Sequence, residues 1–269
     1  GIFVPMITTL HGTDITLVGK HPFYKPAVTF SINQSDVVTS VSESLKKGTL
    51  EIFDIKGEIE VIPNFIDAKK YSKSFTDCQR SNMATEDERI VTHISNFRKV
   101  KRIPDVIKVF SKIQIEIPSK LIMVGEGPEK EGAERLCEEL GIAHKVIFLG
   151  NSNEIDKILC FSDLFLLPSE TESFGLAALE AMINKVPVIS SNAGGIPEVN
   201  KEGVSGFLSD VGDIEDMASK AITILKNDEV LERFKLNALN EAHKFDIQKV
   251  LPLYEEVYER AFKGRFKNV

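Results

Sequence analysis

The chain has 269 residues, of which 42% are hydrophobic and 27% are charged, as in an ordinary globular protein of one large or two modest domains. Its net charge of −7 excludes an overall basic field that would hold nucleic acid. No apolar run approaches the roughly 20 residues of a membrane span. The three cysteines lack metal-binding or CxxC spacing, and Cys137 and Cys160 are expected to pack in apolar helical patterns. We therefore expect a cytoplasmic protein.

In the N-terminal part of the chain, the sequence pattern predicts two strands with one helix between them. Val37–Val41 and Glu60–Pro63 are strand-like, and the segment between them predicts a helix that Ser42 caps. The chain begins without an initiator methionine and enters a strand-like run at once. We therefore expect that the N-terminal part of a longer protein is absent.

After a polar linker-like stretch, Ala68 to Asp87, apolar runs alternate with segments of helical periodicity. The predicted strands are Arg89–Ile94, Lys120–Val124, Val146–Gly150, Leu164–Leu167, Val186–Ser190 and Gly206–Leu208. The predicted helices are Pro104–Ile115, Glu129–Leu140, Glu154–Cys160, Leu176–Ile183, the helical region Asp213–Phe245, and Asp246–Phe262. Strands that are apolar on both faces and are followed by helices indicate a parallel sheet covered on both sides. The fold class is therefore α/β, with a doubly wound, Rossmann-like domain whose ligands bind at the carboxyl ends of the strands.

The densest chemical signal is a polar turn that follows the predicted strand ending at Leu167. A helix opens near Gly175, and free amide groups at a helix start form an anion site suited to a diphosphate. Glu172 lies in the turn and can face a sugar, and Glu180 lies about two turns along the helix. Taken alone, either glutamate is more simply an ordinary solvated carboxylate.

A basic loop follows the first strand of this domain. Arg98 and Lys101 can neutralise the two phosphates of a departing diphosphate, because fixed cations stabilise negative charge that grows in the transition state. The alternative is a solvated basic loop, and that is what we expect for Lys99 and Arg102.

Weaker signals come from one glycine turn and one histidine. The turn at Gly125 enters a helix, although G-x-G turns are common in all protein classes. His11 lies between a strand and a glycine, which makes an exposed imidazole in a cleft plausible. A lone histidine is more often structural, and His93, which lacks such a context, is expected to be a packing or surface residue.

The Glu-x7-Glu pattern of Glu172 and Glu180 around Ser-Phe-Gly resembles the signature of retaining GT-B glycosyltransferases that use nucleotide sugars. The resemblance implies that Glu172 contacts the donor sugar, that Glu180 contacts the ribose, and that Arg98 and Lys101 hold the diphosphate. It places His11 at the reacting end of the sugar. The further donor-binding positions it implies are Ser173, Phe174, Gly175, Leu176, Gly125, Leu149 and Gly150, and the acceptor-side positions are Thr9 and Asn33.

Three motifs together are more specific: His11–Thr16, Ile94–Arg102 and Ser169–Gly175. They resemble the branch of that family that transfers N-acetylglucosamine from UDP-N-acetylglucosamine to L-malate, with retention, in the first step of bacillithiol biosynthesis. The resemblance implies that no metal or other cofactor is needed. It also implies a remnant of an acceptor-side Rossmann-like domain at residues 1–67, a nucleotide-sugar-binding domain at 68–245, and a helix at 246–269 that crosses back.

Three alternatives stay open. The acceptor could be a lipid or a cell-wall glycan, or the chain could be a donor-binding fragment without turnover. A nicotinamide-dependent oxidoreductase would need G-x-G-x-x-G after the first strand, and Asn96–Arg98 stands there instead. The sequence leaves a homo-oligomer open.

Overall fold

A computed structural model describes residues 4–12, 15, 19, 21–71 and 80–266, without the side chains of 264–266. The chain forms two compact units. Unit 1 comprises Gly1–Ile66, Glu172–Phe174 and Phe245–Val269, and unit 2 comprises Asp67–Thr171 and Gly175–Lys244.

Unit 1 is built on a parallel sheet of three strands in the order β1-β2-β3. Its elements in chain order are β1 (Ile7–Leu10), α1 (Lys25–Asn33), β2 (Val37–Ser40), α2 (Glu43–Ile52) and β3 (Ile59–Val61). The predicted cap of α2 is confirmed, because the Ser42 hydroxyl accepts a 3.0 Å hydrogen bond from the Leu45 amide. Helix α1 was not predicted from the sequence.

Unit 2 carries the larger sheet, which is parallel throughout with six strands in the order β6-β5-β4-β7-β8-β9. Its elements are α3 (Ala68–Tyr71), β4 (Arg89–Ile94), α4 (Ile103–Glu116), β5 (Ser119–Val124), α5 (Lys130–Glu139), β6 (Val146–Gly150), α6 (Ile155–Cys160), β7 (Leu164–Leu167), α7 (Leu176–Ile183), β8 (Val188–Ser191), α8 (Ile196–Val199), β9 (Gly206–Ser209), α9 (Ile214–Leu225) and α10 (Asp228–Ala242). The predicted strands and helices of this domain are confirmed. Their ends shift by one or two residues, and the helical region after residue 213 divides into α9 and α10.

The strand order of unit 2 fixes where a ligand can bind. The chain builds outward from β4 to β5 and β6, then returns to the other side of β4 with β7, so β4 and β7 are neighbours, with Val91 opposite Leu164. In an open doubly wound sheet this reversal leaves a crevice outside the carboxyl ends of the two strands. The loops after β4 and β7 therefore flank the candidate site.

A buried ion cluster anchors the stretch before β4, part of which was predicted to be a linker. Asp163 is buried and accepts hydrogen bonds from the Ile90 amide at 2.9 Å and from Arg80 at 2.8 Å, and Lys235 lies 3.4 Å away. Arg80 also donates to the carbonyl of Phe161 at 2.6 Å. Arg80 and Lys235 thus together balance the buried carboxylate of Asp163, whose charge would otherwise be uncompensated. In this stretch, residues 72–79 lie outside the described part.

The cysteines follow the sequence expectation only in part. Cys137 is free and buried, and burial raises the pKa of its thiol to about 11, as expected of a packing residue. Cys160, at the end of α6, is disulfide-bonded. The expectation that Cys160 is a simple packing residue is therefore wrong.

The last helix, α11 (Ile247–Phe266), belongs to unit 1. Its buried side chains Val250 and Val257 pack with Ile62, and its start is joined to Ile66 by a hydrogen bond of 2.9 Å from the Ile247 amide. Within the described residues, α11 and the other helices are too short or too polar to cross a membrane.

Candidate functional site

The loop after β4 carries the predicted cationic pair. Arg98 is exposed, and Lys101 is half-buried at the end of a 3-10 turn that is closed by its own amide donating to the Arg98 carbonyl at 2.8 Å. Arg102, which was expected to be solvated, instead forms a 2.5 Å ion pair with the buried Asp105. That expectation is therefore corrected. The exposed Lys99 agrees with its predicted place on a solvated surface.

Phe97 anchors this loop. Its side chain is fully buried, although its backbone has a φ of 32°, a conformation that non-glycine residues rarely adopt. Its ring stacks on His93 with centroids 6.2 Å apart, and its carbonyl accepts the Glu129 amide at 3.0 Å. The surrounding structure thus compensates for an unfavourable backbone, which fixes the point from which Arg98 projects.

The glycine turn after β5 has a packing reason that the sequence did not reveal. A Cβ atom on Gly125 would lie 1.8 Å from the Ser95 carbonyl oxygen, and one on Gly127 would lie 2.3 Å from the Asn96 carbonyl oxygen. Glycine is therefore required at both positions because the two loops touch through their backbones. The donor-binding role of Gly125 stays a prediction.

The loop after β7 leads into the predicted anion site. The Glu170 amide donates to the Val100 carbonyl at 2.8 Å, and the Ser191 hydroxyl donates to the Ser169 carbonyl at 2.5 Å. Gly175 has a φ of 98° and immediately precedes α7, where Leu176 is exposed. A helix start of this kind presents backbone N–H groups and a positive dipole end.

Glu180, on α7, is not an ordinary solvated carboxylate. It is half-buried, and burial together with the negative charge of Asp156 raises its pKa. Tyr71 is close enough for both carboxylates to act on it: burial, then Glu180, then Asp156 raise the pKa of its phenol to about 12. A carboxylate in such a place can accept hydrogen bonds from the hydroxyls of a sugar or ribose. Asp156 and Tyr71 were not among the residues predicted from the sequence to lie at the site.

The carboxyl end of β6 opens onto a cavity of 380 Å³. Leu149 lines this cavity, together with Asn82 and Asn151. Gly150 has a φ of 69°, and its carbonyl accepts the Gly125 amide at 2.8 Å. Leu149 and Gly150 thus lie at a strand end of the expected kind, and their contact with a nucleotide base stays a prediction.

In unit 1, the segment Glu172–Phe174 packs against the loops that follow β1 and β2. A Cβ atom on Gly12 would lie 1.7 Å from the Ser173 hydroxyl, and the Ser42 hydroxyl donates to the Ser173 carbonyl at 2.6 Å. Because Gly12 follows His11 directly, and Ser173 follows Glu172, this contact brings two predicted sugar-side positions into one neighbourhood. His11 is exposed and Glu172 is half-buried.

Phe174 is buried, and its ring meets that of Phe245 edge to face at 5.5 Å. The side chain is thus a packing group. A ligand contact at this position would be made by the backbone amide, as the resemblance implies.

Of the two predicted acceptor-side residues, one already has a structural task. The Asn33 side chain donates to the Asp54 carbonyl and accepts the Lys56 amide, both at 2.9 Å, and so holds the loop after α2. Thr9 accepts a 2.9 Å hydrogen bond from the Thr39 hydroxyl. Contacts of either residue with an acceptor stay predictions.

The described residues contain no group of three or more His, Cys, Asp or Glu side chains that could hold a metal ion. The expectation that catalysis needs no metal stays a prediction.

Two known families match the chain. Residues 75–241 match the family of glycosyl transferases group 1, and residues 3–70 match Glycosyltransferase Family 4. The chain belongs to the glycosyl transferases group 1.

Several known proteins are similar to this chain in sequence or in fold. It is 43% identical to N-acetyl-alpha-D-glucosaminyl L-malate synthase of Bacillus anthracis, over 95% of this chain and 68% of that protein. It is 26% identical to 2-deoxystreptamine N-acetyl-D-glucosaminyltransferase of Niallia circulans, over 94% of this chain and 69% of that enzyme. The crystal structure of Anabaena HepE in complex with UDP and glucose matches with a TM-score of 0.84 at 23% identity, over 95% of this chain and 71% of that one. The predicted α/β fold of GT-B type is confirmed.

Proposed function

We propose that this glycosyltransferase moves N-acetylglucosamine from UDP-N-acetylglucosamine to the hydroxyl group of L-malate with retention of configuration. The observation that carries the proposal is the 43% identity to a relative named for that product. This chain spans 68% of that relative's length, so the activity of the whole relative is proposed for this chain and is not shown by the comparison.

Unit 2 supplies the groups that would hold the nucleotide. Arg98 and Lys101 follow β4, the amides at Gly175 and Leu176 follow β7, and these two strands flank the switch point of the sheet. A diphosphate in this crevice would meet two cations and a positive helix end, so these groups can do the work that a metal ion does elsewhere. Glu180, whose partly buried carboxylate has a raised pKa, would accept hydrogen bonds from the ribose hydroxyls.

The chemistry requires positioning and stabilisation of the leaving group. The bond between the anomeric carbon and the β-phosphate oxygen breaks, and the malate hydroxyl oxygen bonds to the same face of that carbon. The hydroxyl proton passes to the departing phosphate. Arg98 and Lys101 would stabilise the negative charge that accumulates on UDP.

Product analysis tests the proposal directly. The chain is incubated with UDP-N-acetylglucosamine or UDP-glucose, each with and without L-malate, and the products are identified by mass spectrometry. We expect a malate glycoside only with the N-acetylglucosamine donor, with the α configuration in its NMR coupling constant. Turnover should persist in a chelator. Transfer to a lipid or glycan with none to malate would overturn the proposed acceptor, and UDP binding without any product would favour the donor-binding fragment.

A further inference from the structure

His93 is a buried imidazole whose two ring nitrogens both have partners. Nδ1 lies 2.8 Å from the Leu166 carbonyl oxygen on β7, and Nε2 lies 2.8 Å from the Ser95 hydroxyl. A carbonyl only accepts hydrogen bonds, so Nδ1 must carry the proton. Burial lowers the pKa of His93 to about 4, and the positive charge of Lys101 acts in the same direction, so the ring is neutral at neutral pH. Nε2 is therefore an acceptor, and the Ser95 hydroxyl donates to it.

The direction of these bonds continues into the cationic loop. Since the Ser95 hydroxyl proton points at His93, its oxygen remains available as an acceptor, and the Phe97 amide donates to it at 3.3 Å. The chain of bonds thus runs from Phe97 to Ser95 to His93 to Leu166. It connects the loop after β4 with β7, the strand on the other side of the switch point.

This series of hydrogen bonds ends at Phe97, whose backbone conformation is unfavourable and must be held by its neighbours. Phe97 has a φ of 32° and is buried against the His93 ring, and Arg98 follows it directly. We propose that His93 and Ser95 are positioning residues, which hold Phe97 in its left-handed conformation and thereby aim Arg98 and Lys101 at the donor diphosphate. This inference rests on the proposed function of those two cations.

Serine variants test the inference with little change in volume. Ser95→Ala removes the hydroxyl that connects Phe97 to His93, and Ser95→Thr retains it. The matched control is Thr92→Val on the same strand, because the Thr92 hydroxyl makes a buried 2.7 Å hydrogen bond to Ser162 that does not reach the loop. Melting temperatures of all variants report any general loss of stability.

The functional readouts are the dissociation constant for UDP, by calorimetry, and kcat. We expect Ser95→Ala to weaken UDP binding and to lower kcat by about tenfold to a hundredfold, since small misplacements of catalytic groups have effects of this size. Ser95→Thr and Thr92→Val should stay within about twofold of the parent chain. In an Arg98→Ala background, Ser95→Ala should cause a smaller loss than in the parent chain, because one of the two cations through which it acts is already absent.

The outcomes separate the two proposals. If Arg98→Ala weakens UDP binding but Ser95→Ala behaves like Thr92→Val, the positioning role is wrong and the proposed function stands. Full additivity of Ser95→Ala and Arg98→Ala would likewise overturn the positioning role. If Arg98→Ala leaves UDP binding unchanged, the diphosphate site itself is wrong, and the inference fails with it.

Discussion

The backbone amide of Glu170 donates a 2.8 Å hydrogen bond to the carbonyl of Val100, and this bond ties the loop after β7 to the loop after β4. The first loop leads to the helix start at Gly175, and the second carries Arg98 and Lys101. The helix start and the two cations, which are proposed to bind one diphosphate, are thus connected through the backbone. Substituting the side chain of Arg98 or Lys101 leaves this connection in place, so the effect of such a substitution on activity can be attributed to the lost charge.

Arg98→Ala should lower kcat/KM by about a hundredfold to a thousandfold, because a fixed donor at the leaving group stabilises the transition state. Lys99→Ala is the matched control, since Lys99 is the exposed neighbour with the same charge, and it should change kcat/KM less than threefold, or about 0.6 kcal/mol. Initial rates of UDP release measure both. Equal losses in the two variants would mean that the loop acts only through its general positive field.

Glu180→Gln should stabilise the fold and weaken donor binding. Burial raises the pKa of Glu180 above its ordinary 4.5, so ionising this carboxyl group costs more in the folded protein than in the unfolded chain. The protein therefore loses stability as the pH rises through the raised pKa. At neutral pH, the neutral amide should therefore raise the free energy of unfolding by about 0.5–2 kcal/mol.

The same variant should raise the dissociation constant for UDP about tenfold, because hydrogen bonds to a charged acceptor are lost. Thermal melts with and without UDP measure both effects, with the exposed Glu139→Gln on α5 as control. A destabilised Glu180→Gln protein would contradict the inferred cost of the buried charge.

Gly127→Ala should destabilise unit 2 by about 1–3 kcal/mol, because its Cβ would meet the carbonyl oxygens of Asn96 and Phe97 at 2.3 and 2.7 Å. Gly132→Ala is the opposite case: it lies inside α5 with no atom within 4 Å of a new Cβ. We expect it to stabilise the helix by about 0.5–1 kcal/mol. Urea titrations followed by circular dichroism give the comparison, and a neutral Gly127→Ala would show that the two loops can separate.

Stability should fall on acidification through His93. Its folded pKa of about 4 lies below the ordinary 6.5, so the unfolded chain binds the proton more readily, and stability is lost as the pH falls from 6.5 towards 4. The loss should be at most about 1.4 kcal/mol for each pH unit. Melting temperatures across this range should fall less steeply for His93→Gln than for the surface control His144→Gln. If the melting temperatures of the two variants fall equally steeply with pH, the buried imidazole does not govern the loss of stability in acid.

The fold could be predicted from the sequence wherever local and global signals agree. The apolar runs of unit 2 gave its strands because a sheet covered on both faces leaves few polar positions in each strand. Helix α1 was missed because its segment contains β-branched and polar residues, and Ile32 is its single buried side chain. No clear apolar stripe marks such a helix in the sequence.

The site could be predicted only as a set of motifs. Arg98, Glu180 and Gly175 were predicted because they match the basic loop and the glutamate motif of a known family, and their roles stay predictions. The partner of Arg102 and the tautomer of His93 depend on side-chain contacts that a linear sequence does not contain. The glycines at 125 and 127 were ambiguous for a physical reason: close approach of a phosphate and close approach of another loop both require a missing Cβ.

The assignment of Glu172–Phe174 to unit 1, while the residues on either side belong to unit 2, has a practical consequence. The polypeptide passes between the units four times, so a single cut cannot separate them and neither can be obtained by simple truncation. A fragment of residues 67–244 would retain Phe174 without Phe245, against which its ring packs. Such a fragment would expose an aromatic side chain in the middle of the donor motif, and its poor behaviour in solution would say nothing about its affinity for a nucleotide.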